Sequence, residues 1–420
     1  MLPLYIISAL TKFFSRQFIV SLLESRSDSK RHEKVVSTAS GNIALYIHIP
    51  YCLTPLCKFC CFVRYPLESA AELRAYYRAL HKELNWYYSR LENADITSVY
   101  FGGGTPTVDV YLLSEIIDVI KSYFGKIPIT VEANPRTLND DTINILRSAQ
   151  IERFSVGIQS FQEWKLKELG RFVDDISREE KIILTCLKYF NTVNIDLVWG
   201  TKRDTQQSVL FDAWKAFSLG PHQVTFYPIL PYPSKRKAMP EYASSSLLRE
   251  FRLYRTILYT AKLFGYEPRT PWLMGKQIYV EKMIDEYITE YEDFLGIGVS
   301  SIGKVNRYVY INTFSPAKYV KMVKNRGVSI VKSIELGDWQ RHFFDIQSTL
   351  FGLSKPIVFN KKFSLRKILL SNLTQLATCL ASPSIQMKDN IALLYMLHLI
   401  QKELYTNINI LRDIGMRAGI

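Results

Sequence analysis

Between Asn42 and Ile229 the chain alternates six short apolar runs with stretches of helical periodicity. The runs are "NIALYIHI", "TSVYF" (Thr97–Phe101), "IPITVEA", "ERFSVGI", "TVNIDLVW" and "QVTFYPI". Helical patterns fill the gaps, over Leu67–Leu91, Val108–Tyr123, Asp140–Ala149, the stretch to Phe190, and Thr205–Leu219. Strands that alternate with helices imply parallel pairing through crossover helices. The runs are apolar at both parities, as expected when helices cover a sheet. Polar residues recur where the runs end: Cys52, Gly102–Thr105, Glu132, Gln159, Asp196 and Pro228. That recurrence favours an α/β fold of the partial (β/α)6 barrel type over a doubly wound sheet, because a barrel gathers its site at the strand C-termini.

The flanks read differently. Residues 1–40 hold an amphipathic helix, whose apolar face is interrupted by Lys12 and Arg16, and the polar linker Ser25–Lys34. This helix can pack on the protein, make peripheral contact with a membrane, or serve in targeting. No apolar run is long enough to span a bilayer. The β/α core occupies residues 41–235. An extension over 236–332 carries a helix (Ser245–Phe264) and strands around glycine turns (Tyr291–Asn312). Residues 333–420 read as a small, mostly helical C-terminal domain. The net charge of +14 favours anionic ligands, but it is scattered, so no nucleic-acid partner is expected.

Four of the six cysteines lie in "IPYCLTPLCKFCCF" (Ile49–Phe62). Six cysteines in 420 residues do not make a disulfide scaffold, and their clustering points to metal or redox work in a reducing, cytoplasmic setting. Three chemistries suit the loop. Zinc could use Cys57, Cys60, Cys61 and His48. A redox pair could use Cys57 and Cys60. A four-iron cluster could use Cys52, Cys57 and Cys60, leaving one iron open. His48 could orient the loop or simply pack in the core, and Cys186 and Cys379 read as core residues. The glycine run Gly102–Gly104 either lets a ligand approach the backbone or forms a tight turn.

The loop "YIHIPYCLTPLCKFCCF" resembles that of radical S-adenosylmethionine enzymes, and more narrowly the oxygen-independent coproporphyrinogen III oxidase family, which opens Tyr-x-His-Ile-Pro-Phe-Cys. "YFGGGTPT", "VEANPRTL", "FSVGIQSF", "LGR", "NIDLVWG" and "FLGIGVSS" match later blocks of that family in order. The resemblance implies a [4Fe–4S] cluster on Cys52, Cys57 and Cys60, S-adenosylmethionine as the second cofactor, and an electron donor such as ferredoxin or flavodoxin. Tyr46, Phe59, Gly103, Gly104, Thr105, Glu132, Gln159, Arg171 and Asp196 match family positions that contact S-adenosylmethionine, and Gly102 belongs to the same run. The implied reaction is oxidative decarboxylation of a porphyrinogen. Two departures matter. Four residues separate Cys52 from Cys57 where the family has three. "GYEPRTPWLMGKQIYV" (Gly265–Val280) also lacks the histidine that the family's haem-chaperone branch carries there. A methyltransferase or other radical enzyme acting on an unrelated substrate is one alternative, and a haem-binding or haem-trafficking protein on the same scaffold is the other.

Overall fold

The computed structural model describes residues 35–171, 175–230, 246–276, 293–338, 340–341 and 391–418. The N-terminal helix and linker (1–34), Cys379 and most of the C-terminal region lie outside these described residues. No helix among the described residues is long and apolar enough to cross a membrane.

Each of the six apolar runs forms a strand. In chain order the core is β1 (Gly41–Ile49), α1 (Ala70–Tyr88), β2 (Ala94–Gly103), α2 (Val110–Phe124), β3 (Ile129–Ala133), α3 (Asp140–Ser148), β4 (Arg153–Gln159), α4 (Glu163–Glu168), α5 (Ile176–Tyr189), β5 (Thr192–Trp199), α6 (Gln206–Ser218) and β6 (Gln223–Pro228). Polar caps start the helices. Ser69 accepts from the Glu72 amide at α1, Asp109 from Leu112 at α2, and Asn139 from Thr142 at α3. Thr205 and Ser208 form a reciprocal capping box at α6.

All neighbouring pairs from β1 to β6 are parallel and follow chain order without reversal. A doubly wound sheet would reverse at its first strand, so this order is that of β/α barrel units. β1 is buried from Ile43 onward, and β3 and β5 are buried at nearly every position. This explains why these strands read as continuous apolar runs.

The sheet extends past both ends of the six-strand core. On the β6 side, α7 (Leu247–Leu263) leads to β7 (Tyr266–Pro268) and β8 (Leu273–Lys276), and β8 pairs antiparallel with β6. On the other side, β9 (Phe294–Ile297) pairs parallel with β1, setting Ala44–Ile47 beside Phe294–Ile297. From β9 the sheet runs antiparallel through β10 (Ile302–Val305), β11 (Tyr308–Asn312) and, after α8 (Pro316–Arg326), β12 (Ile330–Glu335). β12 therefore crosses the boundary expected near residue 333 and belongs to the sheet. The last helix, α9 (Ile391–Ala418), packs against α7.

Parallel order puts the C-terminal ends of β1 to β6 on one edge. The cysteine loop, the glycine run, Glu132, Gln159, Asp196 and Pro228 therefore meet there.

Candidate functional site

The cysteine loop is stapled at its base. Tyr51–Cys52 pairs parallel with Tyr65–Pro66, and the Leu67 amide donates to the Cys52 carbonyl at 2.9 Å. His48, at the end of β1, is buried with both ring nitrogens engaged. Its Nε2–H donates to the Val63 carbonyl at 2.8 Å, and Tyr46 Oη donates to Nδ1 at 3.0 Å. A carbonyl can only accept, so these bonds set the tautomer. Burial lowers the His48 pKa to about 4, so the ring is neutral and holds the loop by hydrogen bonding. Arg64 reaches back inside the loop and donates to the carbonyls of Cys57, Cys60 and Phe62. The Thr54–Pro55 peptide is cis.

The glycine run packs against this loop. Gly103 has φ +111°, and a Cβ there would lie 2.6 Å from the His48 ring. A Cβ on Gly104 would lie 2.6 Å from the Tyr51 carbonyl oxygen, while the Gly104 amide donates to the Ile49 carbonyl at 2.8 Å. Close packing of β2 on the loop accounts for glycine at both positions, and both still line the cavity above.

The segment after α4 docks from the opposite side. Lys165 is buried between Asp204 (2.9 Å) and Asp212 (3.2 Å), and this fixes α4. The Lys58 amide then donates to the Leu169 carbonyl at 2.9 Å. Arg171 donates through Nη2 to the Gly157 carbonyl and through Nη1 to Cys57 Sγ at 3.6 Å. Thr105 Oγ1 donates to Cys52 Sγ at 3.4 Å. Burial pushes the Cys52 thiol up to about 12, against the opposing pull of Thr105 and Arg64.

One cavity gathers these groups. Tyr46, Cys52, Cys57, Phe59, Cys60, Gly103, Gly104, Thr105, Glu132, Gln159, Arg171 and Asp196 line it; Gly102 does not. A Cβ on Gly102 would instead press on Tyr100 at 2.9 Å and on Tyr46 at 3.1 Å. Glu132 accepts from Tyr100 Oη (2.6 Å) and from the Gly103 amide (3.3 Å). Burial raises its carboxyl to about 7 despite the Tyr100 bond. Asp196 accepts from Ser155 Oγ and Asn194 Nδ2, both at 2.7 Å, and burial raises its pKa as well. Gln159 follows a bulge in β4 and has φ +75°, an uncommon backbone for a non-glycine residue.

Several lining residues were not singled out from sequence, among them Arg64, Tyr100, Arg136, Tyr227, Trp272, Tyr405 and Arg412. Tyr405 and Arg412 come from α9, which offered no readable chemistry. Their seven-residue spacing, shared with His398, places all three on one helix face, and this was the available signal.

The radical SAM superfamily profile matches residues 46–209 of this chain. The chain is 28% identical over 336 residues to the heme chaperone HemW of Buchnera aphidicola (subsp. Schizaphis graminum), covering 75% of this chain and 84% of that one. It is 26% identical over 318 residues to the oxygen-independent coproporphyrinogen III oxidase of Salmonella typhimurium, covering 70% and 68%. The solved structure of coproporphyrinogen III oxidase (HemN) from Escherichia coli superposes with a TM-score of 0.67 at 21% identity, covering 79% and 81%. That likeness is one of fold. The sequence relatives divide between a chaperone and an oxidase.

A radical SAM domain uses a [4Fe–4S] cluster and S-adenosylmethionine, and the residues present fit the cluster. Cys52, Cys57 and Cys60 face one cavity, with hydrogen-bond donors already on two of the sulfurs. Among the described residues, no three His, Cys, Asp or Glu side chains converge on a single ion. A four-iron cluster instead spreads its thiolates over separate irons. The zinc alternative loses His48, whose two ring nitrogens are taken.

Proposed function

We propose that the radical SAM domain of this chain makes it an enzyme that cleaves S-adenosylmethionine reductively and acts on a porphyrinogen or related tetrapyrrole by oxidative decarboxylation. The observation that carries this reading is the convergence of three thiols, two partly buried carboxyls and Arg171 on one cavity at the strand C-termini. The chemistry supplied by bound cluster and S-adenosylmethionine is one-electron cleavage of a carbon–sulfur bond to a 5′-deoxyadenosyl radical, which takes a hydrogen atom from the substrate.

The residues divide the remaining work. Cys52, Cys57 and Cys60 hold three irons as thiolates, and Thr105 and Arg171 donate to two of those sulfurs, which tunes and orients them. Glu132, braced by Tyr100 and the Gly103 amide, accepts hydrogen bonds from ribose hydroxyls. Gln159 and Asp196 offer an amide and a carboxyl from the next two strands. Tyr46 and Phe59 shape the cavity beside the cysteines and exclude water from it. In the decarboxylation a hydrogen atom leaves the propionate β-carbon and the carboxylate departs as carbon dioxide. A vinyl group forms, and the remaining electron passes to a one-electron acceptor.

Glu132 gives this reading a pH signature. Hydroxyl donors favour the ionised carboxyl, whereas burial favours the neutral one. Affinity for S-adenosylmethionine therefore rises with pH up to about 7, by as much as roughly tenfold per pH unit below that value, and levels off above it. Calorimetric titrations between pH 5.5 and 8.5 check the slope, and Glu132→Gln should flatten it.

A haem-carrying role is the second reading, favoured by the names of the HemW relatives. It needs an axial ligand. His48 has both ring nitrogens engaged, and so does His398, through Trp272 Nε1 (2.8 Å) and Glu250 (2.9 Å). Incubating the reconstituted protein with coproporphyrinogen III, S-adenosylmethionine, reductant and an electron acceptor separates the two. Mono- and divinyl products support the enzyme. Stoichiometric haem binding without product supports the carrier.

A further inference from the structure

The described lining of the cavity holds four arginines (Arg64, Arg136, Arg171, Arg412) and two carboxyls, Glu132 and Asp196. Both carboxyls already accept hydrogen bonds from neighbours on the sheet. Arg64 spends its guanidinium on loop carbonyls, Arg171 on Gly157 and Cys57, and Arg136 donates to the Thr54 carbonyl.

Arg412 differs from these three in making no hydrogen bond to the cysteine loop or the strand ends among the described residues. It is 8% exposed, and its one side-chain bond stays on its own helix, Nη1 donating to Asn409 Oδ1 at 3.2 Å one turn back. Its Nε, like those of Arg64 and Arg171, is buried with no hydrogen-bond partner. The guanidinium lies over the Phe62 ring, 4.9 Å from its centroid, beside the cysteine loop. No ion pair joins Arg412 to a carboxylate among the described residues. A buried guanidinium facing a cavity with an unmet donor calls for an acceptor from a ligand.

The helix that presents Arg412 is firmly placed. Trp272 Nε1–H donates to His398 Nδ1, and His398 Nε2–H donates to Glu250, which also takes Lys402 Nζ at 2.6 Å. These bonds lock α9 to α7 and to the loop before β8. Two turns on from His398, Tyr405 packs on Trp272 with ring centroids 5.1 Å apart, and Tyr227 meets Trp272 edge-on at 5.8 Å. The three rings line the cavity as an aromatic wall. An apolar ring system against that wall, with an anionic arm reaching Arg412, matches both features.

We propose that Arg412 binds a carboxylate of the substrate through its guanidinium, while Tyr227 and Tyr405, backed by the buried Trp272, take the macrocycle. This rests on the tetrapyrrole reading above and names the group that selects for it. The last helix thus becomes a specificity element of the barrel mouth.

Binding of coproporphyrin III, a tetracarboxylate, and of its neutral tetra-amide, followed by tryptophan quenching, tests the assignment. Wild type should bind the acid about 30-fold more tightly than the amide or better, and Arg412→Gln should remove most of that preference. Arg412→Lys, which keeps the charge but not the fork, should restore part of it. If wild type prefers the acid and Arg412→Gln keeps the same ratio, the anchor is wrong and the tetrapyrrole reading stands. A wild-type ratio near one also overturns the anchor, without recourse to any variant. If wild type binds neither porphyrin, the tetrapyrrole reading falls and takes the anchor with it.

Discussion

Replacing Cys57 with alanine should strip the four-iron absorbance from the reconstituted protein and cut 5′-deoxyadenosine formation by about a hundredfold or more. Each thiol in the proposed set serves a different iron, so the other two cannot substitute for it. Cys57 also sits at the junction of the site. Arg64 donates to its carbonyl, and Arg171 reaches its sulfur from the segment after α4. The loss therefore leaves a buried guanidinium facing a methyl group as well as an iron without a ligand. Cys61→Ala is the comparison, because Cys61 lines the same cavity but lies outside the proposed ligand set. It should keep iron content and cleavage within about twofold of wild type, the range of an ordinary peripheral substitution. Iron and sulfide analysis with product chromatography reads both variants. Full activity in Cys57→Ala would sink the ligand assignment.

Gly103→Ala should destabilise the fold by about 3 kcal/mol and lower cluster loading at the same time. Two costs combine. At φ +111° an L side chain is strained, and the new methyl would stand 2.6 Å from the His48 ring. The ring cannot retreat, since Tyr46 and Val63 hold both nitrogens and it is 1% exposed. If the ring shifts, its bond to Val63 breaks and the base of the cysteine loop moves. Gly265→Ala serves as a control. It too has positive φ, +75°, but nothing lies within 4 Å of its Cβ position, so it should cost about 1 kcal/mol and leave the cluster untouched. Urea unfolding and iron content, measured on both, separate strain from collision. Equal losses in the two variants would mean that the packing of Gly103 on His48 is not what matters.

The core was legible because its signals are local. Runs such as "TVNIDLVW" are apolar at both parities only when helices cover both faces, and alternation with helices specifies parallel order. The site followed from that order, since polar residues at six strand ends must share one edge. The resemblance added the assignment of roles, which spacing alone left open between zinc, a redox pair and a cluster.

What stayed hidden depends on contacts distant in sequence. β9 is four residues long, and its parallel seat beside β1 joins residues some 250 apart, which no periodicity reports. The glycine run read as room for a ligand or as a tight turn, but Gly103 and Gly104 are small chiefly because His48 and the Tyr51 carbonyl press on them. Arg64 escaped notice because its partners are backbone carbonyls, which carry no residue identity. Tyr405 and Arg412 reach the cavity only because α9 folds back onto α7, more than a hundred residues earlier in the chain.

The most direct test of the account is anaerobic reconstitution with iron and sulfide, then reduction by dithionite with S-adenosylmethionine and chromatography for 5′-deoxyadenosine. The account predicts about four irons per chain on three cysteines and steady release of 5′-deoxyadenosine. A cluster that forms without any cleavage of S-adenosylmethionine would contradict it. In that case the wider Cys52–Cys57 spacing would hold iron without an open position, and a carrier would describe the protein better than an enzyme.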